Sequence, residues 1–203
     1  MILALWRASS IFQESLSFLL LNTLAACAAL NVDSIDKLSK LDPSKTDPAD
    51  LRVALVVPKE LVLRRGDATL GLSWRDGDAA PESLNYALEV HAGGASDASV
   101  EDRLSSGETL YVLALAEADA AGLRALQAKI ALAKNGKPGE RDSLSVNFSG
   151  GCWRGTFPAG RKVAINAWMQ TATDADYFPL FSNVDLMRVL NQAKTTALPA
   201  CAV

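Results

Sequence analysis

Gly150-Gly151-Cys152-Trp153-Arg154-Gly155 is the stretch of this chain whose residue types come nearest to chemistry. A cysteine among glycines has open backbone around its sulfur, and His91, the single histidine, is the one imidazole able to activate it as a nucleophile. The structural explanation is stronger. The glycines suit a bulge or turn at a strand end, Cys201 is available to pair with Cys152, and His91 falls on the polar face of an expected strand. The pattern therefore supports no catalytic residue. Asp76 and Asp78 with Glu82, and Asp174 with Asp176, place carboxylates at alternate positions, as calcium ligands are. Both series are too short for an EF-hand loop, and Gly77 and Pro81 explain the first as a turn. One histidine excludes the usual His-rich transition-metal sites, so neither metal nor cofactor is expected. Gly136-Lys137-Pro138 fails as a phosphate loop because Ala131 stands where a glycine is needed and Pro138 where a hydroxyl is needed.

Aromatic side chains gather late in the chain, at Trp153, Phe157, Trp168, Tyr177, Phe178 and Phe181. Core packing is their first explanation. Trp168 lies opposite the Val163, Ile165 and Met169 face of its strand, so it is either buried beneath the helix or exposed. An exposed Trp168 beside Tyr177 makes a binding patch for a partner or a sugar ring.

The elements that hold these residues follow from hydrophobic periodicity. Leu51 to Val57, Ala68 to Trp74, Leu84 to Val90, Ser143 to Ser149 and Val163 to Met169 alternate apolar and polar residues, as half-buried strands do. Thr109 to Ala116 is apolar on both faces and reads as a central strand. Ala92 to Glu108, rich in Gly, Ser, Ala and Asp, reads as a long mobile loop. Glu117 and Asp119 open a helix with Leu123, Leu126, Ile130 and Ala133 in one stripe, closed by Asn135-Gly136 and Pro138. Tyr177 to Phe181 is a short segment broken by Pro179, and Ser182 with Asp185 resembles a capping box before a last helix through Leu186, Val189 and Leu190. The expected fold is mainly β: a sandwich-like antiparallel domain with one helical crossover. An α+β sheet with the helix packed on one face is the alternative.

The 203 residues carry 20 Lys and Arg against 23 Asp and Glu, a net charge of -3, with no basic run beyond a pair such as Arg64 and Arg65. That excludes nucleic acid as the main partner. Hydrophobic residues at 49% exclude a disordered chain.

Leu24-Ala25-Ala26-Cys27, after the apolar run from Leu16 to Leu24, resembles the lipobox of bacterial envelope lipoproteins. The resemblance is confined to this segment. It implies a signal peptide over 1–26, lipid on Cys27 (diacylglyceryl, with palmitate-type acyl chains), a flexible tether over 27–50 and a single domain over 51–203. Asn22 and Thr23 interrupt the apolar run, which is too short to span a bilayer. A buried N-terminal helix and ordinary cleavage near Ala28 are the other readings. With Cys27 lipidated, Cys152 and Cys201 remain as an even pair that an oxidising compartment can join. Closing a loop of about 50 residues contributes about 4 kcal/mol in the chain-entropy model. The expectation is a lipid-anchored, periplasm-facing, non-catalytic envelope protein, held to the membrane by its anchor, that binds a partner protein or supports an envelope assembly. Ala28, in place of the retention aspartate, favours the outer membrane. The alternative is a small-ligand or glycan-binding module using the 92–108 loop and the late aromatics.

Overall fold

A computed structural model of the chain describes residues 37, 41–42, 45–75, 82–94, 97–134, 143–192 and 197–202. The signal segment, Cys27, most of the tether, the Asp76-Gly77-Asp78 turn and Gly136-Lys137-Pro138 lie outside the described residues. The strands are β1 (Arg52–Pro58), β2 (Leu61–Val62), β3 (Ala68–Trp74), β4 (Glu82–Ala92), β5 (Glu108–Leu115), β6 (Ser143–Phe148), β7 (Cys152–Trp153), β8 (Ala164–Gln170) and β9 (Phe178–Asp185). The helices are α1 (Ala98–Glu101), α2 (Glu117–Lys134) and α3 (Leu186–Gln192).

Seven strands form one antiparallel sheet in the order β6-β3-β4-β5-β1-β8-β9, curled into a half-barrel, while β2 and β7 make a separate two-stranded ribbon. The domain is mainly β and antiparallel, with α2 as the crossover from β5 to the far edge at β6. This is the expected mainly β, antiparallel domain with one helical crossover, built as a continuous curled sheet faced by helices. Period-two alternation explains the layout. Val53, Leu55 and Val57 of β1 face the concave side with Leu113 of β5 and Ile165, Ala167 and Met169 of β8. Ala54 and Val56 of β1 face the convex side with Val112 and Trp168. Because β1 and β5 are apolar on both faces they sit inside the sheet, with neighbours on either side.

On the concave side, α2 packs Ala120, Leu123 and Ile130 into the core, and α3 packs Leu186 and Leu190, both 0% exposed. Asp185, not Ser182, caps α3. Its Oδ1 accepts from Met187 N and from Val163 N, each at 3.3 Å, while Ser182 remains in β9. The β9 strand also runs past Pro179 to Asp185, which an edge position permits.

Two further expectations change. Residues 97–104 of the expected loop pack against the sheet: Val100 of α1, 1% exposed, lies with Leu104 over the convex-face residues Ala54, Val56 and Trp168. Residues 45–50, expected to belong to the tether, fold onto the domain. Pro48 is fully buried, Gln127 Nε2 donates to Thr46 O at 2.9 Å, and Arg124 Nε donates to Asp47 Oδ1 at 2.8 Å. The Ala49 N–H and then the Arg124 guanidinium hold the Asp47 carboxyl below its ordinary value of 3.8. Among the described residues no helix is long and apolar enough to cross a membrane.

Candidate functional site

The half-barrel has two unlike edges. On β9, Pro179 removes a donor, the register with β8 slips twice, and Asn183 takes a positive φ of 57°, its N–H donating to Asn166 Oδ1 at 2.8 Å. These are the devices that make an edge unfit for further pairing. On β6 none of them occurs. Its six residues pair with β3 in unbroken register from Ser73↔Ser143 to Ala68↔Phe148. Ser143, Ser145 and Asn147 are exposed, Leu144, Val146 and Phe148 half-buried, and the strand carries neither charge nor proline. Among the described residues no strand pairs with its outer side.

Between these edges, on the concave side, lies a cavity of about 370 Å³ that is partly open to solvent. Strands β1, β3, β5, β6, β8 and β9 contribute to its wall, and every lining side chain except Ser145 is apolar. Leu41 and Val189 of α3 complete it. Leu41 also lines a polar cleft with Lys37, Asp42, Lys45 and Asp176, so the apolar and polar spaces meet at this residue.

Trp168 and Tyr177 are brought together on the convex face, but as a packed unit. Trp168 is 7% exposed, and it is covered by the 97–104 segment, because α2 lies on the opposite face. The Arg103 guanidinium stands 6.0 Å from the centre of its ring. Tyr177 is half-buried, and its hydroxyl donates to Oδ1 of Asp97, itself 5% exposed, at 2.8 Å. Gly94 N donates to the other Asp97 oxygen at 3.1 Å. Burial first, then the Asp97 hydrogen bond and charge, push the Tyr177 phenol well above its usual value of 10.0. Thus the 92–108 segment and the aromatics do meet, and each covers the other.

Cys152 and Cys201 form a disulfide with Cα atoms 4.8 Å apart. Its setting explains the glycines. Gly151 has φ +131°, and a Cβ there would come within 3.1 Å of Leu61 Cδ1. The bridge is backed by main-chain bonds, Trp153 N to Pro199 O at 2.9 Å and Cys201 N to Trp153 O at 3.0 Å, so the C-terminal segment docks on β7. Trp153 is buried, edge-on to Phe157 with ring centres 5.0 Å apart. A bridged Cys152 holds no nucleophile, and His91 lies on β4 of the other sheet, Nε2 3.5 Å from Glu89 Oε2. Asp174 and Asp176 are exposed. Among the described residues no group of three or more His, Cys, Asp or Glu is placed to hold a metal.

Comparisons with protein-family models, with characterised proteins and with solved structures find no match to this chain. The edge and the cavity were not singled out by sequence reasoning. The one signal for the edge was present in Ser-Leu-Ser-Val-Asn-Phe, an alternating strand without a charged residue. The cavity wall comes from strands far apart in the chain, and no local pattern announces it.

Proposed function

We propose that this chain is a non-catalytic, lipid-anchored protein of the cell envelope that receives a strand from a partner protein along β6. The observation that carries the reading is the blunt, uncharged outer side of β6, set in a sheet whose other edge is blocked. An edge strand presents a row of main-chain N–H and C=O groups to solvent, and natural sheets usually guard it with charge, proline or a bulge. Where none is present, addition of an extended peptide supplies main-chain hydrogen bonds, and alternate side chains supply specificity. The partner strand that fits has apolar residues on the concave side, beside Leu144 and Val146, and small polar ones on the convex side. The anchor rests on the lipobox at Leu24-Ala25-Ala26-Cys27, and the Cys152–Cys201 bridge accords with an oxidising compartment.

Two experiments test the two halves separately. The intact mass of protein recovered from host membranes is expected to lack residues 1–26 and to carry lipid; an unprocessed chain removes the envelope reading. A photo-crosslinking residue placed in turn at Ser143, Ser145 and Asn147 is expected to capture one partner in cells, and the same group at Lys129 of α2 is not. Ser143→Lys with Asn147→Lys, both exposed, should reduce the adduct about tenfold while changing stability by no more than about 0.5 kcal/mol. Equal capture by the lysine variant removes the strand-pairing reading.

A further inference from the structure

We infer that the cavity inside the half-barrel binds one acyl chain of a membrane phospholipid. Its volume, about 370 Å³, lies within the range of small-molecule sites, roughly 300–1,000 Å³. Its chemistry selects the occupant. Val53, Leu55, Ile165, Met169, Leu180 and Phe181 give it walls without side-chain donors or acceptors. A peptide, a sugar or a nucleotide brings polar groups that such walls leave desolvated and unpaired, which disfavours each of them. A hydrocarbon chain brings none, and gains with every CH₂ it removes from water.

The position of Leu41 gives the source. Leu41 stands on the cavity wall, and about 14 residues separate it from Cys27, a reach of at most roughly 50 Å when extended. An anchor at Cys27 therefore leaves this end of the cavity within reach of the bilayer. The polar cleft that shares Leu41 holds Lys37 and Lys45 among Asp42, Asp47, Asp50 and Asp176, charges of both signs that give a zwitterionic headgroup a place outside the apolar space. An amphiphile needs this adjacency, and a wholly apolar solute does not. The source of the lipid rests on the anchored reading, whereas the cavity's chemistry does not.

The test uses the full chain carrying Cys27→Ser, so that no covalent lipid competes. The protein is mixed with phosphatidylcholine vesicles containing a small fraction of pyrene-acyl phosphatidylethanolamine, and the vesicles are then pelleted. The expected result is about one pyrene lipid per chain in the supernatant, falling at least about tenfold in Val146→Trp, which fills the cavity from β6. Leu180→Gln, which puts an amide in the wall, should show the same loss, and thermal unfolding of both variants identifies any that fail to fold. Protein that carries no lipid overturns the inference, as does equal loading of wild type and both folded variants. Capture of free palmitate alone, with none from vesicles, overturns the assignment to membrane lipid. The membrane-derived intact mass reads the anchor independently, so a missing anchor and an empty cavity are distinguishable failures.

Discussion

Tyr177 ties together the two parts of the convex face, and its titration makes that tie measurable. Its hydroxyl donates to buried Asp97, and burial, ahead of the Asp97 hydrogen bond and charge, raises its pKa above 10.0, with Arg52 acting in the opposite sense. The folded state holds the protonated phenol. Its contribution to stability is therefore complete below pH 10 and is lost as pH rises beyond it, where the unfolded chain surrenders the proton first. Tyr177→Phe is expected to remove this alkaline slope and to cost about 1–3 kcal/mol at neutral pH, since Asp97 stays buried with one donor fewer. Urea unfolding between pH 7 and 11 measures both, and an unchanged slope in the variant assigns the alkaline loss to other groups. Asp47 has the opposite sign. With its pKa lowered, its contribution is held above 3.8 and fades as pH falls further. Neither role was legible in the sequence. Asp97 sits among Gly, Ser and Ala and looks solvated, and the partner that buries it lies 80 residues away.

Strands were the legible elements, because alternation reports a half-buried surface directly. The alternation of Leu51 to Val57, Ala68 to Trp74 and Val163 to Met169 puts Val53, Leu55 and Val57, Leu70 and Leu72, and Ile165 and Met169 each on one face, and those faces point into the core. Thr109 to Ala116 reads as central because it is apolar on both faces, and β5 lies in the middle of the sheet. Elements whose burial depends on a distant surface were misread. The 92–108 segment lacks periodicity, yet Val100 and Leu104 complete a second, smaller cluster over Trp168. Ser182 and Asp185 have capping-box spacing, but pairing with β8 carries the strand through to Asp185, so the carboxylate alone takes the cap. Val100→Ala tests whether the segment is part of the fold. Removal of two methyls from a side chain 1% exposed is expected to cost about 1–3 kcal/mol in equilibrium unfolding. A mobile loop would lose less than about 0.5 kcal/mol, as surface positions do.

At the scale of the molecule, the half-barrel leaves two surfaces that alternation alone does not place. Which strand becomes an edge is decided by the crossover of α2 to β6, and the cavity follows from the curl of a sheet that stops at seven strands. The sequence shows the apolar faces, and only the order of the strands shows that among the described residues no further strand closes them. The Cys152–Cys201 bridge acts on the whole in a different way. It lies outside the seven-stranded sheet, joining β7 to the docked C-terminal segment, so the native contacts it makes directly are few. Its sequence separation of 49 nonetheless encloses β8, β9 and α3, and in the chain-entropy model that loop raises the free energy of the unfolded state by about 4 kcal/mol. Cys201→Ser should then lower global stability by about 4 kcal/mol, and reduction of the wild type should match it. Native-state hydrogen exchange separates this from a local clamp. If the bridge acts on the unfolded chain, the slowest amides of β1 and β5, which belong to the seven-stranded sheet and not to the ribbon, lose protection by the same free energy as Trp153 and Cys201. If only Trp153, Arg154 and Cys201 become faster, the bridge fastens the C-terminal segment and the half-barrel is stable without it.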